Sequence, residues 1–415
     1  MRGTSAPAAE RSSVLVLVAT TPLYRGATMA MLLSGLGMSA AAPQIASFLV
    51  RELGASLPTA GLFYLTNLTA PLAGYLVGSR SDRSGYRLGL FRTCALLGGL
   101  GWAGIAFSRQ VWTPFVISAV VLGFAGAAGS QLFAALRDET VRRNDPNGDT
   151  VVAVVRMALT AGWVIGPVLG TFLAAQAGYR VLLLATALCT LGQVIPLGFL
   201  RTPILDRAAA GAPAHRIGVR RLVPLLAFTG LYVLVYAGES VKYAYLPIYM
   251  RYQLRLEPVV SGAVIGIQPL VELVLMPLSV LLARRFGTMR VMVVGAGCGV
   301  AANLCFAGIA SAGGMFAGQV LMGFVWGIFA ALGILAAQRL LPEAVATASA
   351  IFLTSTAISS ALGGLTGSIG IATLGLPHVF VAPASYALLA AAGLAIMARA
   401  ERQPSASSSG AAAKS

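Results

Sequence analysis

Apolar residues run along this chain in long blocks, each about the roughly 20 residues a helix needs to cross a lipid bilayer. Twelve blocks are read, at 26–50, 58–79, 88–108, 111–136, 151–177, 181–200, 222–249, 259–283, 290–311, 315–338, 345–372 and 379–398. Gly166-Pro167, Pro269 and Pro277 fall inside blocks. Membrane helices tolerate both residue types, because neighbouring helices and side chains re-satisfy the freed backbone groups. The pattern predicts an all-α polytopic membrane protein with connections too short for a separate soluble domain. The longest connection, RTPILDRAAAGAPAHRIGVRR at 201–221, holds five Arg and two Pro and divides the blocks six and six. The expected organisation is an N-terminal segment 1–25, a first six-helix bundle 26–200, the connection 201–221, a second bundle 222–398 and a tail 399–415. The low-complexity QPSASSSGAAAKS closing that tail reads as disordered.

Composition agrees. The 415 residues are 57% hydrophobic and only 10% charged, where a soluble domain carries about 25% charged residues. The net charge of +16 would suit nucleic acid if the charges formed one patch, but they do not. With the N-terminus placed in the cytoplasm, only Arg51, Arg109, Arg180, Lys242, Arg251 and Arg255 of the 29 basic residues fall on the far side. The other 23 lie on the cytoplasmic side, which is the positive-inside bias and puts both termini in the cytoplasm. The charge therefore implies no nucleic-acid partner. VLVLVA near the N-terminus is too short for the apolar core of a signal peptide. Cys94, Cys189, Cys298 and Cys305 sit inside apolar blocks without a CxxC pair and read as small core residues.

The halves echo each other. GSRSDRSGYR, between blocks two and three, is followed 202 residues later by VLLARRFGTM, between blocks eight and nine. At that offset Arg83 falls on Arg285, Gly85 on Gly287, and Arg137, at the end of block four, on Arg339, at the end of block ten. Repeated halves around a central site are a transporter architecture. GSRSDRSGYR itself resembles the loop signature of the major facilitator superfamily, matching at Gly78, Asp82, Arg83, Gly85 and Arg87 and departing at Tyr86. Gly162, Gly166, Pro167 and Gly170 in GWVIGPVLG look like the Gly-Pro motif of that superfamily's exporters. AAPQIASFLVRELGAS, GLFYLTN, GSQLFAALRDE and the stretch from Gln268 to Arg285 are similar to the bacterial sugar efflux transporter family.

That resemblance implies twelve helices in two pseudo-symmetric bundles, a monomer, and export of sugars or glycosides across the cytoplasmic membrane by alternating access, in exchange for protons. It also implies an inner-gate latch at Gly78–Arg87, with Arg137 and Arg339 as gate partners. Physically, Gly85 permits a tight turn and Asp82 can pair with a nearby Arg. The bland reading of the same loop is a solvated stop signal for insertion.

An ionisable side chain within a span costs about 2.5–3.5 kcal/mol on insertion scales and is functional by default. Glu239 in block seven and Glu272 in block eight qualify, and both are proton-coupling candidates. Asp138 and Glu139 lie at the cytoplasmic end of block four. Block seven carries Tyr232, Tyr236, Glu239 and Tyr243 at helical spacing, with Lys242 beside them. Such a stripe suits a wet cavity, where Tyr rings stack on sugar C–H faces and polar groups bond hydroxyls. Glu239 and Lys242 also read as a plain i, i+3 salt bridge, which is compatible with lining the cavity. Gln268 and Glu272, at i, i+4, could bond substrate, carry a proton, or form a structural interhelical bond. Tyr64 and Asn67 in block two, Gln131 in block four and Trp163 in block five complete the substrate-binding candidates. Trp326 reads as core packing in preference to a substrate platform.

Several patterns are decoys. The GxGxxG of Gly99, Gly101 and Gly104 follows no strand. Asn67-Leu-Thr matches a glycosylation pattern but is intramembrane. His215 and His378 are too few and too far apart for a metal site, and no Walker loop, HExxH or GxSxG occurs. The chain is expected to be no enzyme, to need no cofactor, and to draw on an ion gradient. Export of amphiphilic drugs by the same fold is the alternative, since an acidic and aromatic cavity would serve cations too.

Overall fold

A computed structural model describes residues 16–144, 147–198, 200 and 219–400. Most of the expected N-terminal segment, nearly all of the central connection and nearly all of the tail lie outside the described residues. Within them the chain is helical, with no strand. Ten helices are long and apolar enough to cross a membrane, or eleven if one bent pair counts as a single span. The chain is a multi-pass membrane protein.

The bent pair is the first expected span. Helix α1 (Pro22–Ala41) and α2 (Ile45–Arg51) meet at 40°, with Pro43 in the break, where the ring removes a backbone donor. The second expected span, 58–79, departs from a single helix. It is helical throughout but divided into α3 (Leu57–Leu62), a 3₁₀ stretch Phe63–Thr69 and α4 (Ala70–Ser84). Pro71 cannot donate to the turn before it, which tightens to 3₁₀ there. No single piece is long and apolar enough by itself, so the structure yields fewer unbroken spans than the twelve expected.

The remaining helices are continuous blocks. They are α5 (Arg87–Ala106), α6 (Trp112–Ile117) running through a π-turn Ser118–Leu122 into α7 (Gly123–Arg142), α8 (Gly148–Ala177) and α9 (Tyr179–Gly192). Then follow α10 (Val219–Ile248), α11 (Pro258–Phe286), α12 (Thr288–Gly308), α13 (Ala312–Leu340), α14 (Val345–Leu374) and α15 (Val381–Ala400).

The described residues fall into two compact units. One holds the residues up to 200 together with Tyr243–Gly266; the other holds 219–242 and 267–400. The ends of α10 and α11 that flank their connection thus belong with the first unit.

In the first unit α8 lies backbone to backbone on α1. A Cβ on Gly162 would meet Leu36 N at 2.5 Å, one on Gly166 would meet Leu36 O at 2.7 Å, and one on Gly170 would meet Ala40 O at 2.6 Å. The Ser39 hydroxyl uses this closeness to donate to Gly162 O at 3.0 Å. Small residues at four-residue spacing are how membrane helices gain packing energy without a hydrophobic drive. In the second unit, Gly323 and Gly327 of α13 do the same against α11. Cβ atoms there would stand 2.6 Å from Val271 Cβ and 2.7 Å from Leu275 Cβ. That approach sets the geometry of the site.

Candidate functional site

The second unit buries a polar cluster inside its helices. Helix α10 presents Tyr232, Tyr236 and Glu239 along one face, and all three are buried with Lys242. Lys242 is 1% exposed. Glu239 Oε1 accepts from Lys242 Nζ at 2.6 Å and from Gln268 Nε2 at 3.5 Å. Lys242 Nζ also donates to Gln268 Oε1 on α11. Glu239 Oε2 accepts from the Trp326 indole N–H on α13 at 3.0 Å. Three helices thus satisfy one carboxylate with donors on both oxygens.

Aromatic rings wall this cluster. Tyr232 and Tyr236 stack at 4.3 Å and 13°, and Tyr236 leans on Trp326 at 4.5 Å. Phe352 meets Tyr232 edge-on at 4.5 Å. Flat apolar rings beside a hydrogen-bonding acid, base and amide are the chemistry of a ligand that is itself part apolar face and part hydroxyl. Glu272 stands one turn from Gln268 on α11 and is half-buried. It lies within electrostatic reach of Glu239 and Lys242, but has no hydrogen-bond or ion-pair partner among the described residues.

Of the residues expected to bind substrate, the structure brings Tyr236, Glu239, Lys242 and Gln268 together, with Glu272 beside them. Tyr64, Asn67, Gln131, Trp163 and Tyr243 belong to the first unit. There Tyr64 is buried with its hydroxyl 3.5 Å from Ala42 O, Gln131 is buried, Trp163 and Tyr243 are half-buried and Asn67 is exposed. Trp326 is a correction: its indole bonds Glu239 and does more than fill space. Its signal in the sequence is the pair Gly323 and Gly327 around it, which marks a close helix approach.

The loop signature, the segment expected to act as the inner-gate latch, folds as an ion-paired turn at the join of α4 and α5. Gly85 ends α4 at φ +66, a left-handed conformation that favours glycine. Gly287 takes φ +92 between α11 and α12, at the repeat-equivalent place. The buried hub of the latch is Arg87. It bonds Asp82 at 2.8 Å, Asp138 of α7 at 3.2 Å and the Ser81 hydroxyl at 2.6 Å. Arg83 and Arg137 are exposed, and exposed Arg339 donates to Thr288 Oγ1 at 3.0 Å. Glu139 is held by Arg142 and Arg143 at 2.6 and 2.5 Å. Removing Arg87 leaves Asp138 without its guanidinium, so Arg87→Ala should cost about 1.5–3 kcal/mol. Arg83→Ala should stay within about 0.5 kcal/mol. Thermal unfolding of the purified protein separates the two, and equal losses would remove Arg87 from its hub role.

A second polar feature in the first unit had no motif to announce it. Gln44, Thr171, Tyr179, Arg251, Tyr252 and Ser261 are among the residues lining a cavity of about 140 Å³. The Arg51 guanidinium lies 3.4 Å over the Tyr252 ring, and the Tyr179 and Tyr252 hydroxyls are 3.3 Å apart. Gln44 donates to Thr171, which donates to Pro167 O, inside the Gly-Pro motif.

Comparison with known proteins gives a family. A family model described as Major Facilitator Superfamily matches residues 27–229 and 228–414. Sugar efflux transporter A of Dickeya chrysanthemi is 27% identical over 350 residues, covering 81% of this chain and 87% of that protein. Sugar efflux transporter A of Escherichia coli K12 is 27% identical over 353 residues, covering 83% and 88%. The solved nucleoside transporter NupG superposes with a TM-score of 0.77 at 15% identity, covering 90% of this chain and 98% of that one. A D-xylose–proton symporter gives 0.67 at 16% identity, covering 90% and 96%. These two likenesses speak for the fold.

Proposed function

The chain belongs to the Major Facilitator Superfamily, and from that premise we propose that it exports sugars or glycosides across the cytoplasmic membrane by alternating access, in exchange for protons. Two relatives of similar length are named sugar efflux transporters. The observation that carries the reading is the Glu239–Lys242–Gln268–Trp326 cluster against the Tyr232–Tyr236 stack. Its donors and acceptors match hydroxyls, and its rings match a sugar's C–H face. A cationic drug finds less support, because Lys242 already occupies the position beside Glu239 that a cation would need.

The two carboxylates take different roles in this reading. Glu239 has donors on both oxygens, so it orients the cluster and trades these bonds for substrate hydroxyls. Glu272 forms no hydrogen bond or ion pair among the described residues, lies within electrostatic reach of Glu239 and Lys242, and takes up and releases the proton. The sequence offered both as coupling groups; their surroundings favour Glu272. Both termini lie in the cytoplasm, as the basic-residue bias indicates, and the working unit is a monomer with no cofactor. Alternating access opens the cluster to one side of the membrane and then the other, and the Arg87 latch breaks and re-forms at the cytoplasmic side.

Purified protein in liposomes tests the assignment with labelled lactose and simple glucosides. Exchange of sugar across the liposome without a gradient should survive in Glu272→Gln, while proton-driven accumulation should fall to background. Wild-type accumulation in that variant would remove Glu272 from the coupling role. A wild-type protein that exchanges no sugar would count against the substrate class.

A further inference from the structure

Two arginines of the second unit line one groove and meet no partner among the described residues. Arg290 stands in the first turn of α12 and Arg399 in the last turn of α15. With Val293, Ala395 and Ala398 they line a groove of about 230 Å³ between the two helices. Both side chains are exposed, and neither forms a hydrogen bond or ion pair among the described residues. No acidic residue lines the groove. Residues 267–400 hold two carboxylates in all, Glu272 and Glu343. Glu343 is engaged by Arg221 at 3.4 Å and Glu272 belongs to the buried cluster. Among the described residues the groove's positive charge therefore has no acidic partner, and the N-terminal end of the 21-residue α12 adds its own positive potential.

Below the arginines, along the helix axes, the surface turns apolar. Val294, one turn after Arg290, is 62% exposed, and Ile396 of α15 is 66% exposed. A Cβ on Gly297, a further turn along, would meet nothing within 4 Å, so the helix surface stays open there. Paired cations at the ends of two helices, beside exposed apolar side chains, complement one kind of molecule: a phosphate carrying acyl chains.

We propose that Arg290 and Arg399 form a binding site for an anionic glycerophospholipid, gripping its phosphate between α12 and α15 while its acyl chains lie along the Val294 and Ile396 surface. This site is separate from the Glu239 cluster and does not depend on the substrate assigned to it. Lipid held there would bridge the ends of α12 and α15.

Native mass spectrometry of the full chain in detergent, titrated with dioleoyl-phosphatidylglycerol, tests the proposal. Each arginine near an anionic headgroup is worth about five-fold in affinity, so Arg290→Gln/Arg399→Gln should bind this lipid about thirty-fold more weakly. Arg220→Gln/Arg284→Gln removes the same charge from other exposed arginines and should bind like the wild type. Inorganic phosphate in excess should not displace the lipid. Unchanged binding in Arg290→Gln/Arg399→Gln, or equal loss in both double variants, would overturn the site. Displacement by inorganic phosphate would overturn the lipid in favour of a plain phosphate site.

Discussion

Glu239→Ala should destabilise the protein by roughly 3–5 kcal/mol and abolish transport, because it removes the hydrogen-bonded counter-charge of a buried ammonium. Lys242 is 1% exposed and its charge is met by Glu239 at 2.6 Å. Gln268 supplies a second acceptor but no negative charge. Truncating Glu239 also strips the Trp326 N–H of its acceptor. The companion experiment separates stability from function. Replacing a buried pair by apolar groups of similar volume is often neutral, so Glu239→Leu/Lys242→Met should recover most of the lost stability. It should not recover transport, because the hydroxyl-binding groups are gone. Glu239→Gln should fall between, since one amide oxygen can still serve Lys242 while its NH₂ competes with the indole donor. Thermal unfolding in detergent, paired with a transport assay, reads both effects. A stable Glu239→Ala would mean that Lys242 finds another counter-charge.

Gly166→Leu should prevent correct assembly of the first unit, a larger effect than the 1–3 kcal/mol usual for overpacking. A Cβ at this position would stand 2.7 Å from Leu36 O and overlap the Ser39 hydroxyl. Backbone cannot rotate away as a side-chain end can, and Gly162 and Gly170 hold the flanking turns equally close. The whole α1–α8 contact would have to separate. Gly126 in α7 provides the control: a Cβ there meets nothing within 4 Å, and Gly126→Ala should gain slightly from helix propensity. Yield of monodisperse protein on size exclusion measures both. A well-behaved Gly166→Leu would show that α1 and α8 have slack that this packing denies.

Much of this was legible in the sequence, and the residues show why. Glu239, Lys242 and Gln268 stood out because ionisable and amide groups in apolar blocks need partners, and helical spacing put the first two on neighbouring positions of one turn. Gly162, Gly166 and Gly170 stood out by their likeness, with Pro167, to the exporters' Gly-Pro motif. What depended on how helices approach each other was hidden. Trp326 of α13 donates to Glu239 of α10, while Gly323 and Gly327 on either side of it hold α13 close to α11. Arg87, one of several arginines near the latch, became its hub because the turn at Gly85 buries it beside Asp138, far along the chain. The breaks near Pro43 and Pro71 were marked by their prolines, but their effect on span count was not. The assignment of Tyr243–Gly266 to the first unit has no local signature, because it rests on contacts distant in sequence.

The most direct measurement of the central claim is sugar movement in inverted membrane vesicles, where export appears as uptake. Labelled lactose and simple glucosides would be supplied with an imposed proton gradient, with and without a protonophore. The account predicts accumulation that the protonophore abolishes and that Glu272→Gln lacks. Vesicles that accumulate lipophilic cations and none of these sugars would contradict it, and would assign the Glu239 cluster to drug export within the same fold.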